Sequence, residues 1–259
     1  MTTTGTRPDI EGTKAEVQRI GFIFAMRAEG EGLVKRLGLK AQGRLDPDLP
    51  AVWFSGRVEG GSGGRNLEIA IAFAGEDPYH GCDRIGTLPA TLAAYLLCRR
   101  FRPDLLVNAG TCGGFQREGA SIGAVYVGGG DFLFHDRRIP LPKFDAFGIG
   151  RIPAIVDEAM RMALGAESGV ISTGDSFEPT AEEQKFFERE RVTCKEMEAA
   201  SIASLSRDLG IRFLAVKAVT DLVDHPEPEK SAFARNLNRV SEILEERLIN
   251  LLEWMKVRE

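Results

Sequence analysis

Short apolar runs and helical stretches alternate along the chain. The run "RIGFIFAM" (19–26) is followed by the charged segment "RAEGEGLVKRLGL", a pattern that predicts a buried strand passing into a helix. "AVWFSGRV" (51–58) and "LEIAIAF" (67–73) are typical of strands, and residues 84–101 predict a long helix. Alternating strands and helices indicate an α/β fold.

The second half of the chain continues the alternation. "RPDLLVNAGTCGGF" (102–115) and "GVISTGDSF" (169–177) each predict a strand that ends in a loop, and residues 197–210 predict a helix that ends at Gly210. The last helix carries one apolar stripe, formed by Phe233, Leu237, Val240, Leu244, Leu248 and Leu251. Because no linker interrupts the pattern, we expect a polar tail (1–18) and one domain (19–259).

Composition and charge exclude several classes of protein. A hydrophobic share of 43%, a charged share of 27% and a net charge of -5 are ordinary for a globular protein and do not predict nucleic-acid binding. No apolar run approaches the roughly 18 residues of a membrane-spanning helix, and the start lacks the apolar core of a secretory signal. The cysteines lack the spacing of a zinc site, so we expect reduced thiols in a cytoplasmic protein.

Polar residues follow several predicted strands. In open α/β sheets, ligands bind beyond the carboxyl ends of the strands, which makes Glu29, Glu198 and Asp221 candidates. Each also has a structural interpretation: Glu29 as a solvated carboxylate, Glu198 as a partner of a helix N-terminus, and Asp221 as a helix cap or ion-pair partner. Residues 59–66, "EGGSGGRN", lack a phosphate-loop pattern and predict a flexible hairpin. His225 lies in a polar loop, so we assign no step to it.

Five motifs carry a resemblance to a known family. "AMRAE", "NAGTCGGF", "STGDSF", "KEMEAASIA" and "VKAVTDLVD" resemble, in this order, the motifs of the purine nucleoside phosphorylase and nucleosidase superfamily. More narrowly, the chain from about residue 19 onward resembles 5′-methylthioadenosine nucleosidases of the plant-type branch. The resemblance implies one α/β domain with a central mixed sheet, partly barrel-like and flanked by helices. It also implies hydrolysis of methylthioadenosine to adenine and a 5-thio-ribose in methionine salvage, without metal or organic cofactor. Whether S-adenosylhomocysteine is also cleaved stays open.

The resemblance implies a role for each matched residue. Glu29 matches the base that activates water, and Asp221 matches the acid that faces the purine N7 and exocyclic amine. Phe177 matches the ring that stacks on the base, and Met197 and Glu198 match the ribose-binding pair.

Further positions come from the same comparison. Thr111 and Gly113 match the loop that lines the sugar and base pocket, and Glu178 stands at the purine edge, where bacterial relatives commonly have an apolar residue. The family forms homodimers in which the neighbouring subunit completes the pocket for the 5′ substituent. Our candidates for that contribution are Phe134, His135, Pro140 and Leu141.

The chemistry requires two carboxylic acids in opposite states. Cleavage of an N-ribosidic bond sends electrons into the purine, so a protonated Asp221 would assist departure of the base. A free Asp has a pKa near ~3.9, and the apolar run "FLAVKAV" before Asp221 supplies the burial that raises it. Glu29 must instead be ionised to take a proton from water.

Two alternatives belong to other functional classes. A phosphorylase would use phosphate in place of water, but purine phosphorylases generally have Arg where this chain has Asn108, and a carboxylate at the nucleophile would repel phosphate. A non-catalytic member, such as a storage protein, would lack the catalytic acids, and all three are present here.

Overall fold

A computed structural model describes residues 17–61, 63–154 and 156–257 of the chain. The strands are β1 (Arg19–Phe24), β2 (Lys40–Arg44), β3 (Val52–Val58), β4 (Leu67–Phe73), β5 (Glu76–Asp77), β6 (Cys82–Asp83), β7 (Leu105–Gly114), β8 (Val125–Phe134), β9 (Ile152–Ala154), β10 (Glu167–Thr173), β11 (Cys194–Glu196) and β12 (Arg212–Leu222). The helices are α1 (Arg27–Arg36), α2 (Thr87–Phe101), α3 (Phe144–Ile149), α4 (Glu158–Leu164), α5 (Ala181–Arg189), α6 (Ala199–Leu209) and α7 (Glu229–Lys256).

Ten of the strands form one mixed sheet that partly closes on itself. Its order is β11-β10-β8-β12-β7-β1-β4-β3-β2, with β9 beside β8, and β11 pairs again with β7. The second pairing closes β7, β12, β8, β10 and β11 into a ring, while β1, β4, β3 and β2 extend from it as an open sheet. The predicted α/β domain with a partly barrel-like sheet is confirmed.

Strand β7 changes partners along its length, and this leaves part of its backbone unpaired on one side. Its first half pairs with β1 up to Asn108, and its end pairs with β11 at Gly113 and Gly114. The sequence predicted a loop of small residues here, but the strand continues through Gly114 because β12 pairs with it throughout. Between the two partners, the backbone of Thr111 is free to bind a side chain.

Helix α7 packs its apolar stripe on the sheet. Val240, Leu244, Leu248 and Leu251 are buried and belong to the same core as β1, β4 and β12, while Phe233 and Leu237 lie at its edge. The predicted stripe is therefore confirmed. Helix α6 ends as predicted, with Gly210 in the left-handed conformation at a φ of 66°. None of the helices in the described part of the chain is both long and apolar enough to cross a membrane.

Residues 17 and 18, at the beginning of the described chain, contact the folded domain. Val17 is buried in the core, and the backbone N–H of Gln18 donates to the carboxylate of Asp104 at 2.9 Å. The folded domain therefore includes residues 17 and 18, which we had assigned to the tail. Residues 1–16 lie outside the described residues. Strands β3 and β4 pair antiparallel, as expected for two strands joined by a hairpin.

Candidate active site

The predicted strand ends meet in one pocket. The lining residues are Ala25, Met26, Glu29, Ile85, Thr111, Cys112, Gly113, Ser176, Phe177, Lys195, Glu196, Met197, Glu198, Thr220, Asp221, Glu229 and Phe233.

Glu29 lies in the first turn of α1 and is 5% exposed. One carboxylate oxygen accepts hydrogen bonds from the backbone N–H of Thr111 (2.7 Å) and from its hydroxyl (2.8 Å), and the other accepts from Met26 N–H at 3.1 Å. Burial raises the pKa of Glu29, and the positive charge of Lys217 and the Thr111 donors act against that rise. The interpretation of Glu29 as a solvated carboxylate is therefore wrong.

Glu29 shares its surroundings with a buried ion-paired group. Lys217 on β12 is 1% exposed, and its Nζ lies 2.7 Å from a carboxylate oxygen of Glu196 and 3.6 Å from one of Glu198. We call Glu29, Glu196, Glu198 and Lys217 the carboxylate cluster. The three acids outnumber the one cation in this cluster, so their ionisation depends on Lys217.

Glu196 and Glu198 are held in place by helix N-termini. Glu196 accepts from the backbone N–H groups of Glu198 (3.0 Å) and Ala199 (2.9 Å) at the start of α6, and from the Thr173 hydroxyl. Glu198 accepts from Gly86 N–H at 3.0 Å, just before α2. Burial, followed by the opposing effect of Lys217 and the charges of neighbouring acids, leaves the pKa of Glu198 raised to about 7. Glu196, not Glu198, thus binds the amides that begin α6.

Asp221 lies in the same pocket and has fewer donors. The β12 register shifts between Val219 and Asp221, a bulge that adds Thr220 and turns Asp221 into the pocket. The Thr220 hydroxyl lies 2.8 Å from one carboxylate oxygen, and Asp221 is only 2% exposed. Burial raises its pKa to about 6, against the lowering effect of the Thr220 hydrogen bond.

Two glycines of β7 make room for the two acids. A Cβ on Gly110 would lie 3.1 Å from a carboxylate oxygen of Glu29, and one on Gly113 would lie 2.9 Å from Asp221 Oδ2 and 2.8 Å from Val223. The glycine pattern thus allows close approach of side chains that line the pocket, not only a tight turn. Three residues of strand, about 10 Å, separate these positions along β7.

Aromatic residues and an ion pair form the wall beside Asp221. The Phe177 ring lies edge-on to Phe233, with ring centroids 5.6 Å apart. Lys195 Nζ donates to the carbonyl of Phe177 and to a carboxylate oxygen of Glu229, the latter at 2.8 Å. We call Asp221, Thr220, Phe177, Lys195 and Glu229 the Asp221 end of the pocket. The cation at this end, Lys195, is paired with Glu229, and it lowers the pKa of Asp221 less than Glu229 raises it.

The structure brings together most of the predicted site residues. Glu29, Thr111, Gly113, Phe177, Met197, Glu198 and Asp221 all line the pocket. Glu178 follows Phe177 but is exposed and does not line it.

The segment proposed to reach a neighbouring subunit divides into two parts. Phe134 and His135, at the end of β8, are 3% and 1% exposed, and His135 packs against Phe187 of its own chain. Because these two side chains are buried inside their own protomer, they cannot project into a neighbour. Pro140 and Leu141 are exposed. Burial also lowers the pKa of His135 to about 3, so its ring is neutral at physiological pH.

Sequence analysis missed several charged residues that line the pocket or lie beside it. Glu196 stands next to the recognised Met197, and Lys217 was read as part of an apolar run. Lys195 and Glu229 were also missed. A lysine inside an otherwise apolar central strand was the available signal, since such a lysine is buried only with an ionic partner. Among the described residues, no group of His, Cys, Asp and Glu is arranged to hold a metal ion.

Comparisons with known proteins agree with this architecture. The sequence model described as "Phosphorylase superfamily" matches residues 56–253. The chain is similar to a 5′-methylthioadenosine nucleosidase of Arabidopsis thaliana, with 35% identity over 93% of this chain and 89% of the relative. It is also similar to a 5′-methylthioadenosine/S-adenosylhomocysteine nucleosidase of the same plant, with 32% identity over 95% of this chain and 97% of the relative.

A solved structure gives the same result in three dimensions. The apo structure of the Arabidopsis thaliana 5′-methylthioadenosine nucleosidase superposes with a TM-score of 0.88 at 35% identity, covering 94% of this chain and 98% of the other. The chain therefore belongs to the phosphorylase superfamily and, within it, to the family of the plant 5′-methylthioadenosine nucleosidases.

Proposed function

We propose that this chain is a nucleosidase that hydrolyses the N-ribosidic bond of 5′-methylthioadenosine, releasing adenine and a 5-thio-ribose in methionine salvage. One observation carries the proposal. Two buried carboxylic acids, Glu29 and Asp221, line one pocket. Glu29 accepts three hydrogen bonds, whereas Asp221 accepts one, from the Thr220 hydroxyl. Donors favour the ionised form of a carboxylate, so the surroundings of Glu29 suit a base and those of Asp221 suit an acid.

In this proposal the two acids act on opposite sides of the scissile bond. Burial raises the pKa of Asp221 to about 6, and in its protonated form Asp221 gives a hydrogen bond to N7 of the departing adenine. Phe177 and Phe233 supply apolar ring surface beside it for the base. Glu29 takes a proton from the attacking water, which then adds to the anomeric carbon as the bond to the purine breaks.

The ribose belongs between these acids, next to Met197 and Glu198. The carboxylate of Glu198 can accept hydrogen bonds from ribose hydroxyls, and Glu196 lies directly behind it. Negative charge at this position stabilises the positive charge that develops on the ribose in the transition state. The pocket walls supply this charge before the reaction begins, because helix N-termini and Lys217 hold both carboxylates in place.

The charge of the pocket favours water over phosphate as the nucleophile. Its lining contains five acids, Glu29, Glu196, Glu198, Asp221 and Glu229, and no arginine lies among the lining residues in the described part of the chain. The lysine that lines it, Lys195, is paired with Glu229. Phosphate sites need several converging cationic donors, so this pocket would repel the phosphate dianion.

The test is release of adenine from the two thio-nucleosides. We expect the enzyme to release adenine from 5′-methylthioadenosine in phosphate-free buffer, with a rate that does not rise on addition of phosphate. S-adenosylhomocysteine, assayed in parallel, shows whether the 5′ side accepts the larger polar substituent. The proposal would be overturned by absence of turnover. It would also be overturned by turnover that requires phosphate and yields a 5-thio-ribose 1-phosphate.

The same proposal includes a homodimer and a cytoplasmic location. Leu141 and the aromatic side chains of Phe144 and Phe147 are exposed together in one segment, and we propose that Pro140 and Leu141 reach the partner's pocket from there. Sedimentation or light scattering measures the oligomeric state. All four cysteines are free thiols, as expected of a cytoplasmic protein, and cell fractionation tests the location.

A further inference from the structure

Lys217 is a buried cation that does not line the pocket. It lies on β12 one layer behind the pocket wall, and its Nζ approaches Glu196 at 2.7 Å and Glu198 at 3.6 Å. Burying a lysine is costly unless it is paired, and at 1% exposure Lys217 has no access to solvent. Its pKa is raised by Glu196, Glu198 and Glu29 despite burial, so it stays protonated.

The cluster as a whole carries an excess of negative charge. With Lys217 protonated and all three acids ionised, four charged groups carry a net charge of about -2 in a space almost closed to water. Removing the one cation would leave three neighbouring carboxylates to repel one another. Buried acids in that situation take up protons, and a protonated Glu198 is a weaker acceptor for ribose hydroxyls and carries no charge to oppose positive charge on the sugar.

We propose that Lys217 is a positioning residue of the hydrolysis: it keeps the ribose-facing carboxylate of Glu198 ionised, and it fixes that carboxylate through Glu196 without touching the substrate. This inference rests on the proposed function, because it assigns Lys217 a part in the same reaction. A continuous series of contacts connects Lys217 to Glu198. The Thr173 hydroxyl binds Glu196, Glu196 binds Lys217 and the first amides of α6, and Lys217 faces Glu198.

The titratable groups around Lys217 are consistent with its role as the cation that keeps Glu198 ionised. Glu29 on α1, Glu196 on β11 and Glu198 before α6 are the charged groups that face Lys217. On β7 and on the part of β8 that pairs with β12, the titratable groups are Cys112 and Tyr126, and burial raises the pKa of both, that of Tyr126 to about 12. Asp131, farther along β8, forms an ion pair with Arg151. Cys112 and Tyr126 are neutral at physiological pH, so Lys217 is the cation that balances the acids. At the pocket mouth, Gly86 N–H adds one further donor to Glu198.

The first test replaces the charge and keeps the shape. In Lys217→Met we expect the titration midpoint of the Glu198 carboxyl, followed by carbon-13 NMR with Glu198→Gln for assignment, to rise by about one unit or more. The ratio of mutant to wild-type kcat/KM should then be about 0.1 or lower at pH 6 and approach one at high pH, since both enzymes are ionised there. Lys217→Arg retains the cation and should restore the midpoint. A loss of equal size at every pH with an unchanged midpoint would overturn the proposal.

The second test moves the same midpoint in the opposite direction. Glu196 raises the pKa of Glu198, so Glu196→Gln should lower the Glu198 midpoint and make the mutant to wild-type ratio of kcat/KM fall as pH rises. If Lys217→Met shows no cooperative thermal unfolding, Glu196→Gln decides alone, and a midpoint that stays or rises refutes the inference. The NMR titration needs no turnover. An inactive wild-type enzyme would therefore refute the proposed function, and the midpoints would still show whether Lys217 keeps Glu198 ionised.

Discussion

The two ends of the pocket bury the same kind of group in different surroundings. In the carboxylate cluster, Glu29 is reached by three hydrogen-bond donors and by the charge of a buried lysine. At the Asp221 end, the acid is reached by one hydroxyl, and the nearby lysine is turned toward Glu229 and the Phe177 carbonyl. Both acids are almost fully buried, so burial alone cannot give them different roles.

The difference lies in what compensates burial. Burial raises the pKa of Glu29, Glu198 and Asp221 alike, and only the number of donors and the sign of nearby charge distinguish them. At the Asp221 end, Glu229 adds to the rise and favours the protonated form. One pocket can therefore contain a base and an acid of the same chemical class, provided that the base receives the cation and the amides.

Removing either carboxylic acid should cause the largest loss of activity, because each end of the pocket supplies one of the two acids. Glu29→Gln removes the base and Asp221→Asn removes the ionisable proton, and each should lower kcat for adenine release by about 10²–10⁴-fold. The amide keeps the size of each side chain, so we expect circular dichroism and the thermal transition to stay close to those of the wild type.

A neighbouring acid provides the control for these variants. Glu31 lies two residues after Glu29, is exposed, and forms an ion pair with Lys35 on the same helix at 3.5 Å. Glu31→Gln removes one carboxylate from α1 without touching the pocket, so its turnover should stay within twofold of the wild type. Near-normal turnover in Asp221→Asn or Glu29→Gln would remove that residue from the mechanism.

The dependence of kcat/KM on pH tests the two protonation states and should show an effect of intermediate size. The active form needs Glu198 ionised and Asp221 protonated, and their pKa values lie at about 7 and about 6. The plot of kcat/KM against pH should therefore be bell-shaped, rising below about 6 and falling above about 7, whichever group is assigned to either limb. A profile that is flat from pH 5 to 9 would contradict the requirement for two opposite protonation states.

The fold was predictable from the sequence because its signals are local. The strand β1, the end of α6 at Gly210 and the stripe of α7 follow from residue spacing alone. The ring closure was implied by the resemblance but not by the pattern, since β11 has three residues and its pairing with β7 joins positions some 80 residues apart. For the same reason the continuation of β7 through Gly114 was missed.

The site was predictable only in part. Motif resemblance identified Glu29, Glu198 and Asp221, because it carries spatial information that one sequence does not contain. It did not identify Lys217, whose partners come from other elements of the fold and whose neighbours along β12 are apolar. Phe134 shows the converse: an aromatic at the end of a strand gave no sign of whether it faces the core or a neighbouring subunit, and it is buried in the core.

The smallest expected effect comes from Thr220, the one side-chain donor to Asp221 on the bulge of β12. Thr220→Val removes a hydrogen bond that lowers the pKa of Asp221, so the acid should keep its proton to higher pH by about half a unit. The ratio of mutant to wild-type kcat/KM should then increase with pH, to about threefold at pH 8 relative to its value at pH 5. Thr220→Ser keeps the hydroxyl and should show a constant ratio. A ratio for Thr220→Val that instead falls with pH would mean that the hydroxyl stabilises the protonated form of Asp221. The number of donors would then not explain why Asp221 acts as an acid and Glu29 as a base.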